Sequence, residues 1–313
     1  QTSDPVYLAQ QFREHMQRQL ISPQADGYAL LDEHGPTPNH PTLPAHADSA
    51  AQHGRLPLVS NRAMRSLLDT TFLCPLYITA DLVLAGRARL REVLCLGSMT
   101  LGPRSDIIGW AHSDEAAVLA EGCVAVRRVS SDRSIDLARL CCFERLHAPT
   151  LRFGQQPLPG SARPAVNSHP TWHRLRHIEG AQRWGEDSWR VDGDCDIPAW
   201  HHFTGSLVVM GVLRVGEGAR VEGNVKAHRG LHIGAGASVT GAAVCEAGIH
   251  LLPDAVVGGP LVSETHVLLH TRARVGTPDA PTTVSASDIL IDRGVTTHGT
   301  VWARQTGVVL GAA

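Results

Sequence analysis

The fold is decided by four consecutive segments of 18 residues, which read LRVGEGARVEGNVKAHRG (213–230), LHIGAGASVTGAAVCEAG (231–248), IHLLPDAVVGGPLVSETH (249–266) and VLLHTRARVGTPDAPTTV (267–284). Placed one beneath another, they carry the same residue types in the same columns. An internal period of this length indicates a solenoid, in which each repeat is one turn that buries its apolar side chains against the neighbouring turns.

The aligned columns separate interior residues from corner residues. The aliphatic columns are Val215, Ile233 and Leu251, and Val221, Val239 and Val257; the small-residue column is Ala219, Ala237 and Ala255; and the glycine column is Gly223, Gly241 and Gly259. Side chains of a strand alternate between its two faces, so the aliphatic columns are predicted to fill the interior. We expect the glycines at sharp corners that need a positive φ. The sequence therefore predicts an all-β fold, a parallel β-helix with 18-residue turns.

The pattern continues less regularly on both sides of these segments. A fifth turn is predicted to start at Ile289, after a four-residue insertion near residues 285–288. In the first half, turns of 16 to 18 residues are predicted to start at Leu82, Met99, Ala117, Ile135 and Leu151. Their small-residue column is Ala88, Ser105, Cys123 and Cys141, which places two cysteines in the core.

Two arrays of turns divide the chain into four predicted regions. These are an N-terminal helix with a Pro- and His-rich extension (1–75), a first, degenerate array (76–153), an insertion (154–188) and a second array (189–313). The N-terminal helix is predicted from Leu8, Phe12, Met16 and Leu20, which recur at helical spacing. Residues 58–68 are a candidate second helix that caps the first array.

Composition argues against several classes of function. The formal net charge is −2, so there is no electrostatic case for a nucleic-acid partner. No stretch approaches the length of apolar sequence that a membrane span needs. The seven cysteines lack metal or redox spacing, which predicts reduced thiols in the cytosol. We expect a cytoplasmic protein, with any membrane association made through a partner or through a segment preceding Gln1.

Histidines and aromatic residues of the insertion are the candidate interaction residues. His169, His173 and His177 would share one face of a helix and are weak candidates for a zinc site. Pro170 lies within this run and no cysteine or carboxylate stands at motif spacing, so a solvated or partner-facing insertion is the favoured interpretation. The candidate partner-binding residues are Phe12, Met16, Trp172, His173, His177 and Trp184.

Two further groups of polar residues are candidates for a chemical role. Arg214, His232 and His250 form one outward column, which would bind an anionic polymer, respond to pH, or simply be a polar face. Asp192, Asp194 and Asp196 suggest a cation loop, but the pattern of an EF-hand fails because no Glu follows at the twelfth position. No catalytic residue and no cofactor are predicted.

The columns in residues 205–275 resemble the bactofilin family of polymer-forming cytoskeletal proteins. The motif is carried by Leu213, Val215, Gly216, Gly218, Ala219, Val221, Gly223, Val225 and Ala227, and again by Leu231, Ile233, Gly234, Gly236, Ala237, Val239 and Gly241. The resemblance implies a right-handed β-helix that assembles into filaments through the ends of the coil without nucleotide. It also implies roles in organising the cell envelope, frequently at the membrane.

Three functions remain open from the sequence. The first is a non-enzymatic scaffold that binds other copies of itself, a protein complex, or both. The second is a hexapeptide-repeat acyltransferase, because IGAGAS and VTGAAV would pass as two of its hexads; such enzymes are trimers that bind acyl-coenzyme A between their coils. The third is a carbohydrate-binding or carbohydrate-processing β-helix, which needs an aromatic-lined groove with paired carboxylates.

Overall fold

The chain folds as a parallel β-solenoid. The computed structural model describes residues 10–11, 13–14, 29–30, 58–154, 173–175 and 178–311, and these form about 13 turns with a spacing of roughly 18 residues. The predicted all-β class and turn length are therefore confirmed. The chain divides into two compact units, Gln1–Ala148 (unit 1) and Pro149–Ala313 (unit 2).

Unit 1 is built from turns whose strands pair in parallel with those of the next turn. Four successive turns are in register at their predicted first residues, which are Leu82, Met99, Ala117 and Ile135. The strands are β1 (Ala29–Leu30), β2 (Leu58–Ser60), β3 (Met64–Ser66), β4 (Thr70–Ile78), β5 (Leu82–Leu84), β6 (Ala88–Cys95), β7 (Met99–Leu101), β8 (Asp106–Ser113), β9 (Ala116–Leu119), β10 (Val124–Ser131), β11 (Ser134–Leu137) and β12 (Cys142–Phe153), of which β12 ends in unit 2.

The predicted helix over residues 58–68 is wrong. β2 pairs in parallel with β4, and β3 with β5, so these residues form a turn of the solenoid. Pairing with a neighbouring strand satisfies the backbone and buries Met64, and this outweighs the local helical pattern. The solenoid therefore begins before residue 76. At the N-terminus the described residues 10–11 and 13–14 are helical as predicted, while Phe12 and Met16 lie outside the described residues.

Unit 2 contains the regular turns that the sequence displays most clearly. Its strands after β12 are β13 (His173–Arg174), β14 (Ala181–Arg183), β15 (Ser188–Val191), β16 (Cys195–Ile197), β17 (His201–Thr204), β18 (Ser206–Val209), β19 (Val212–Val215), β20 (Arg220–Glu222), β21 (Val225–Ala227), β22 (Gly230–Ile233), β23 (Ser238–Val239), β24 (Ala243–Cys245), β25 (Ile249–Leu251), β26 (Val256–Val257), β27 (Leu261–Ser263), β28 (His266–Leu269), β29 (Arg274–Val275), β30 (Thr282–Ile291) and β31 (Val295–Val309).

The aliphatic and alanine columns fill the interior of unit 2. Val215, Ile233 and Leu251 are at most 2% exposed, and the columns of Val239 and Ala237 are buried in the same way. Full burial of a side chain of this size contributes about 1.5–3 kcal/mol relative to exposure. Stacked burial of one residue type per column is therefore the main stabilising contact between turns.

The recurring left-handed corner lies in a different column from the one predicted; within the glycine column Gly223 has a positive φ of 155°, whereas Gly241 and Gly259 do not. Positive φ values of 60° to 63° recur at Trp200, Gly218, Gly236, Asp254 and Arg272. The glycine column has another cause, since a Cβ on Gly241 would stand 2.6 Å from the carbonyl oxygen of Gly223 in the turn before. Close approach of backbones, rather than a positive φ, therefore explains why glycine recurs at Gly241 and Gly259.

The insertion in the last turns lies earlier than predicted. Val257 and Val275 are still in register, but Leu261 pairs with Val284. The extra residues form a turn closed by the antiparallel bridge between Thr277 and Ala280. The predicted position near residues 285–288 is wrong, because those residues belong to β30.

Candidate functional site

In unit 1, strand β3 has one edge with which no described strand pairs, and exposed leucines lie next to it. β3 pairs with β5 on one edge, and no described strand pairs with its other edge. Leu67 and Leu68 follow β3 directly and are 85% and 74% exposed. Arg65, at the centre of β3, is also exposed. An uncovered edge with apolar side chains beside it is a typical place for pairing with another chain.

A second open edge, in unit 2, is acidic. β16 pairs with β19 and with no other described strand. The side chains of Asp192, Asp194 and Asp196 are 60%, 53% and 70% exposed. These carboxylates face arginine side chains: Asp194 and Asp196 lie 3.8 and 3.4 Å from Nη1 of Arg214, and Asp192 pairs with Arg190 at 2.8 Å.

The structure describes only part of the predicted partner-binding insertion. His173 is exposed on β13, with its ring centroid 5.6 Å from that of His201. Trp184 is 61% exposed, and the Arg190 guanidinium carbon lies 5.0 Å from its ring centroid. His173 lies on a strand and not on the helix that the predicted triplet assumed, so that premise is wrong at this residue. Trp172, His169 and His177 lie outside the described residues.

A cavity lies beside this part of unit 2. Its volume is about 300 Å³, and its lining includes Arg174, Leu175, Ile178, Trp189, Phe203 and Thr204. β14 and β15 form an antiparallel hairpin that contributes to one wall. The described lining residues are mostly apolar with one guanidinium, and they include no pair of carboxylates of the kind that a glycosidase needs.

The outward column that begins at Arg214 is a histidine face in unit 2. Arg214, His232 and His250 stand in register on β19, β22 and β25, as predicted. The rings of His232 and His250 meet edge-on, with centroids 4.8 Å apart. Burial is the first cause that lowers the pKa of both histidines, and nearby positive charge lowers it further. Both rings are therefore neutral at pH 7.

His266 joins this face, although its column position did not predict it. Its Nε2 lies 3.2 Å from Nε2 of His250. The residue in register with His250 is Leu268, so His266 reaches across from the start of β28. Its ring occupies the space that a side chain on Gly248 would fill. The sequence feature that could have indicated this contact is Gly248, which lies one turn before His266.

A second polar cluster, in unit 1, was missed by the sequence analysis. His112 Nε2 lies 3.2 Å from Asp114 Oδ1 and 3.6 Å from Asp132 Oδ1. His112 Nδ1 lies 2.8 Å from the Oγ of Ser130, which stands in register with it on β10. Asp114 also forms an ion pair with Arg13. The available signal was the repeat of Asp114 at Asp132, one turn later.

The cysteines are free thiols. Burial raises the pKa of Cys95 to about 12 and that of Cys195 to about 11, so both are protonated at neutral pH. Cys123 and Cys141 are fully buried in the small-residue column, as predicted. Protonated thiols without access to solvent are poor nucleophiles.

Comparison with known proteins returns no match. No protein-family model, no curated protein and no solved structure matches the chain. Among the residues that the structure describes, no helix is long and apolar enough to cross a membrane. The geometry of the solenoid and of its surfaces is therefore the basis for a functional conclusion.

Proposed function

We propose that the protein is a non-enzymatic scaffold that self-associates through the open end of unit 1. The observation that carries the proposal is the edge of β3 that pairs with no described strand, beside the exposed Leu67 and Leu68. Burial of each leucine would contribute about 1.5–3 kcal/mol, and pairing along β3 would satisfy its outer backbone groups. A second copy would supply a strand to pair with this edge.

Charge favours β16 of another copy as the surface that meets β3. The β3 end carries Arg62 and Arg65, whereas β16 carries Asp196 and follows Asp194. A contact between two different surfaces is heterologous, so each copy keeps one surface available for the next copy. The end-to-end assembly implied by the resemblance to bactofilins supports the same arrangement.

The test is the mass of the protein in solution, measured by light scattering over a range of concentrations. Wild type is expected to form species larger than a monomer as concentration rises. The double variant Leu67→Asp/Leu68→Asp should stay monomeric, because two carboxylates would be buried in the contact and would face the acidic edge of β16. Val126→Asp is the matched control, since Val126 is 50% exposed on β10 of the same unit.

Charge exchange tests the partner edge. Arg65→Glu should weaken assembly about 10-fold, because it places like charges on the two edges. Adding Asp196→Lys to that variant should restore assembly. If the double leucine variant assembles like wild type and like the Val126→Asp control, the proposal is wrong.

The solenoid fold does not by itself distinguish a scaffold from an acyltransferase. A discrete trimer that binds acyl-coenzyme A would favour the acyltransferase and count against the scaffold. The same light-scattering series distinguishes the two, because a trimer has one mass at every concentration above its dissociation range. End-to-end assembly instead gives masses that continue to rise with concentration.

A further inference from the structure

His112 lies at the centre of three ligand atoms in unit 1. Its side chain is 2% exposed, and its Nε2 faces the carboxylates of Asp114 and Asp132. The three ligand atoms all lie within 4.8 Å of one another. Asp132 is 53% exposed, which opens the cluster to solvent on one side.

The surroundings fix the orientation of the imidazole. Nδ1 of His112 lies 2.8 Å from the Oγ of Ser130, a side chain that is itself buried. When Nδ1–H donates to this oxygen, Nε2 presents its lone pair to the two carboxylates. Histidines that bind metals are usually held in this way through the second ring nitrogen.

The two spacings from His112 Nε2 fit a tetrahedral ion, and the third, between the two carboxylate oxygens, is at most 4.8 Å. Zinc binds imidazole nitrogen and carboxylate oxygen at about 2.0–2.2 Å, so two ligands of a tetrahedral ion lie roughly 3.3–3.6 Å apart. The distances from His112 Nε2 to Asp114 and Asp132 are 3.2 and 3.6 Å. One imidazole with two carboxylates is also a donor set that suits zinc.

Arg13 supplies the positive charge at this cluster. Its Nη2 forms the ion pair with Asp114 Oδ1, the same oxygen that faces His112. One guanidinium stands against two carboxylates, which leaves the cluster with net negative charge while His112 is neutral. A divalent cation would bind that oxygen in place of the guanidinium.

We propose that His112 Nε2, Asp114 Oδ1 and Asp132 Oδ1 bind a zinc ion, and that Arg13 competes with zinc for Asp114. Solvent completes the coordination on the side of Asp132. Zinc binding in unit 1 then releases the helical residues around Arg13 from their contact with Asp114. This inference is independent of the proposed self-association.

Calorimetric titration of the full chain with zinc sulfate tests the site. Wild type is expected to bind one zinc ion that the variant Asp132→Asn binds about 100-fold more weakly, because a ligand is lost while size and exposure are kept. Glu121→Gln is the matched control: Glu121 is 44% exposed in unit 1 and pairs with Arg139 instead. Its titration should match that of wild type.

Arg13→Gln separates this site from zinc bound by other surface histidines. Removal of the competitor should tighten the same binding event several-fold, and Asp132→Asn should abolish that gain. The proposal is overturned if Asp132→Asn titrates like Glu121→Gln, or if Arg13→Gln leaves the affinity unchanged. Asp132 is used rather than His112 because the buried imidazole also fills the core.

Discussion

The turns of unit 2 between residues 213 and 275 and those of unit 1 between residues 70 and 131 share a period but differ in construction. In unit 2 the strands of successive turns pair without any shift of register. In unit 1 the register shifts within a strand pair: Phe72 and Leu90 are 18 residues apart, but Pro75 and Glu92 are 17 apart. Each shift absorbs a change in turn length, which is the usual role of a β-bulge.

The two regions also differ in what they bury. Within residues 213–275, all of which are described, Ser263 is the one buried polar side chain. Unit 1 buries Ser105, Ser113, Ser130, Ser131 and His112. The regular turns are therefore stabilised mainly by their uniform aliphatic columns. The irregular turns instead bring polar groups together inside and beside the core. A polar cluster such as that around His112 arises in the second kind of turn.

The largest effect is expected from a charge in a regular column. Val239→Asp should lower the free energy of unfolding by about 4 kcal/mol or more, because the aspartate would be buried between Val221 and Val257 without a partner. The matched control is Val244→Asp in the same turn, where the side chain points outward on β24. Urea unfolding followed by circular dichroism measures both. A soluble Val239→Asp protein with a normal melt would contradict the account of unit 2.

A smaller effect is expected at the two kinds of corner glycine. Gly241→Ala should cost about 3 kcal/mol, because its Cβ would meet the backbone of Gly223 and turns cannot separate locally. Gly236→Asn should cost about 1 kcal/mol or less, since nothing lies within 4 Å of its Cβ and asparagine tolerates a left-handed backbone. Thermal melts of the two variants should keep this order; the reverse order would contradict close approach as the reason for glycine at position 241.

This contrast marks how far the sequence could predict the fold. The sequence predicts columns such as Val215, Ile233 and Leu251, because aliphatic residues repeat there at a constant interval. Residues 58–68 misled because Leu58, Leu67 and Leu68 imitate a helical pattern, although both Leu67 and Leu68 are exposed at a corner. Only pairing with the next turn, a long-range contact, identifies these residues as strands.

The candidate sites were less predictable than the fold. The column of Arg214, His232 and His250 followed from the period alone. The contact of His266 with His250 and that of Asp132 with His112 did not follow from the period. Each depends on a side chain that reaches from one column to another. A period gives the register of backbones but not the direction in which a long polar side chain turns.

An acid-dependent loss of stability is expected from the histidine face of the regular turns. The pKa values of His232 and His250 are lowered in the folded state, first by burial and then by Arg214 and neighbouring histidines including His266. The unfolded state therefore binds more protons below pH about 6.5, so stability that is complete above this pH is lost as the pH falls through the folded values. Urea midpoints between pH 7.5 and 5 measure the loss.

The control for this pH dependence is the double variant His232→Gln/His250→Gln. It should lose less stability over the same pH range than wild type, while His112 in unit 1 titrates unchanged in both proteins. Identical slopes for the two proteins would remove the histidine face as a source of pH dependence.

The smallest effect is expected in the columns that contain both cysteine and serine, which occur in both units. Cys245 stands in register with Ser263, whose hydroxyl donates a hydrogen bond of 2.5 Å to the carbonyl of Ala247. Cys245→Ser should therefore cost only about 1 kcal/mol. Cys95→Ser in unit 1 should behave alike, because Ser113 is its neighbour in register. A loss well above this in either urea titration would show that the column does not accept serine generally.

Negative-stain electron microscopy of the purified chain, with its mass in solution over the same concentrations, tests the central claim most directly. The account predicts assemblies that lengthen with concentration, since the edge of β3 and its leucines are open to a further copy. A monomer at every concentration, or a trimer of constant mass that binds acyl-coenzyme A, would contradict it.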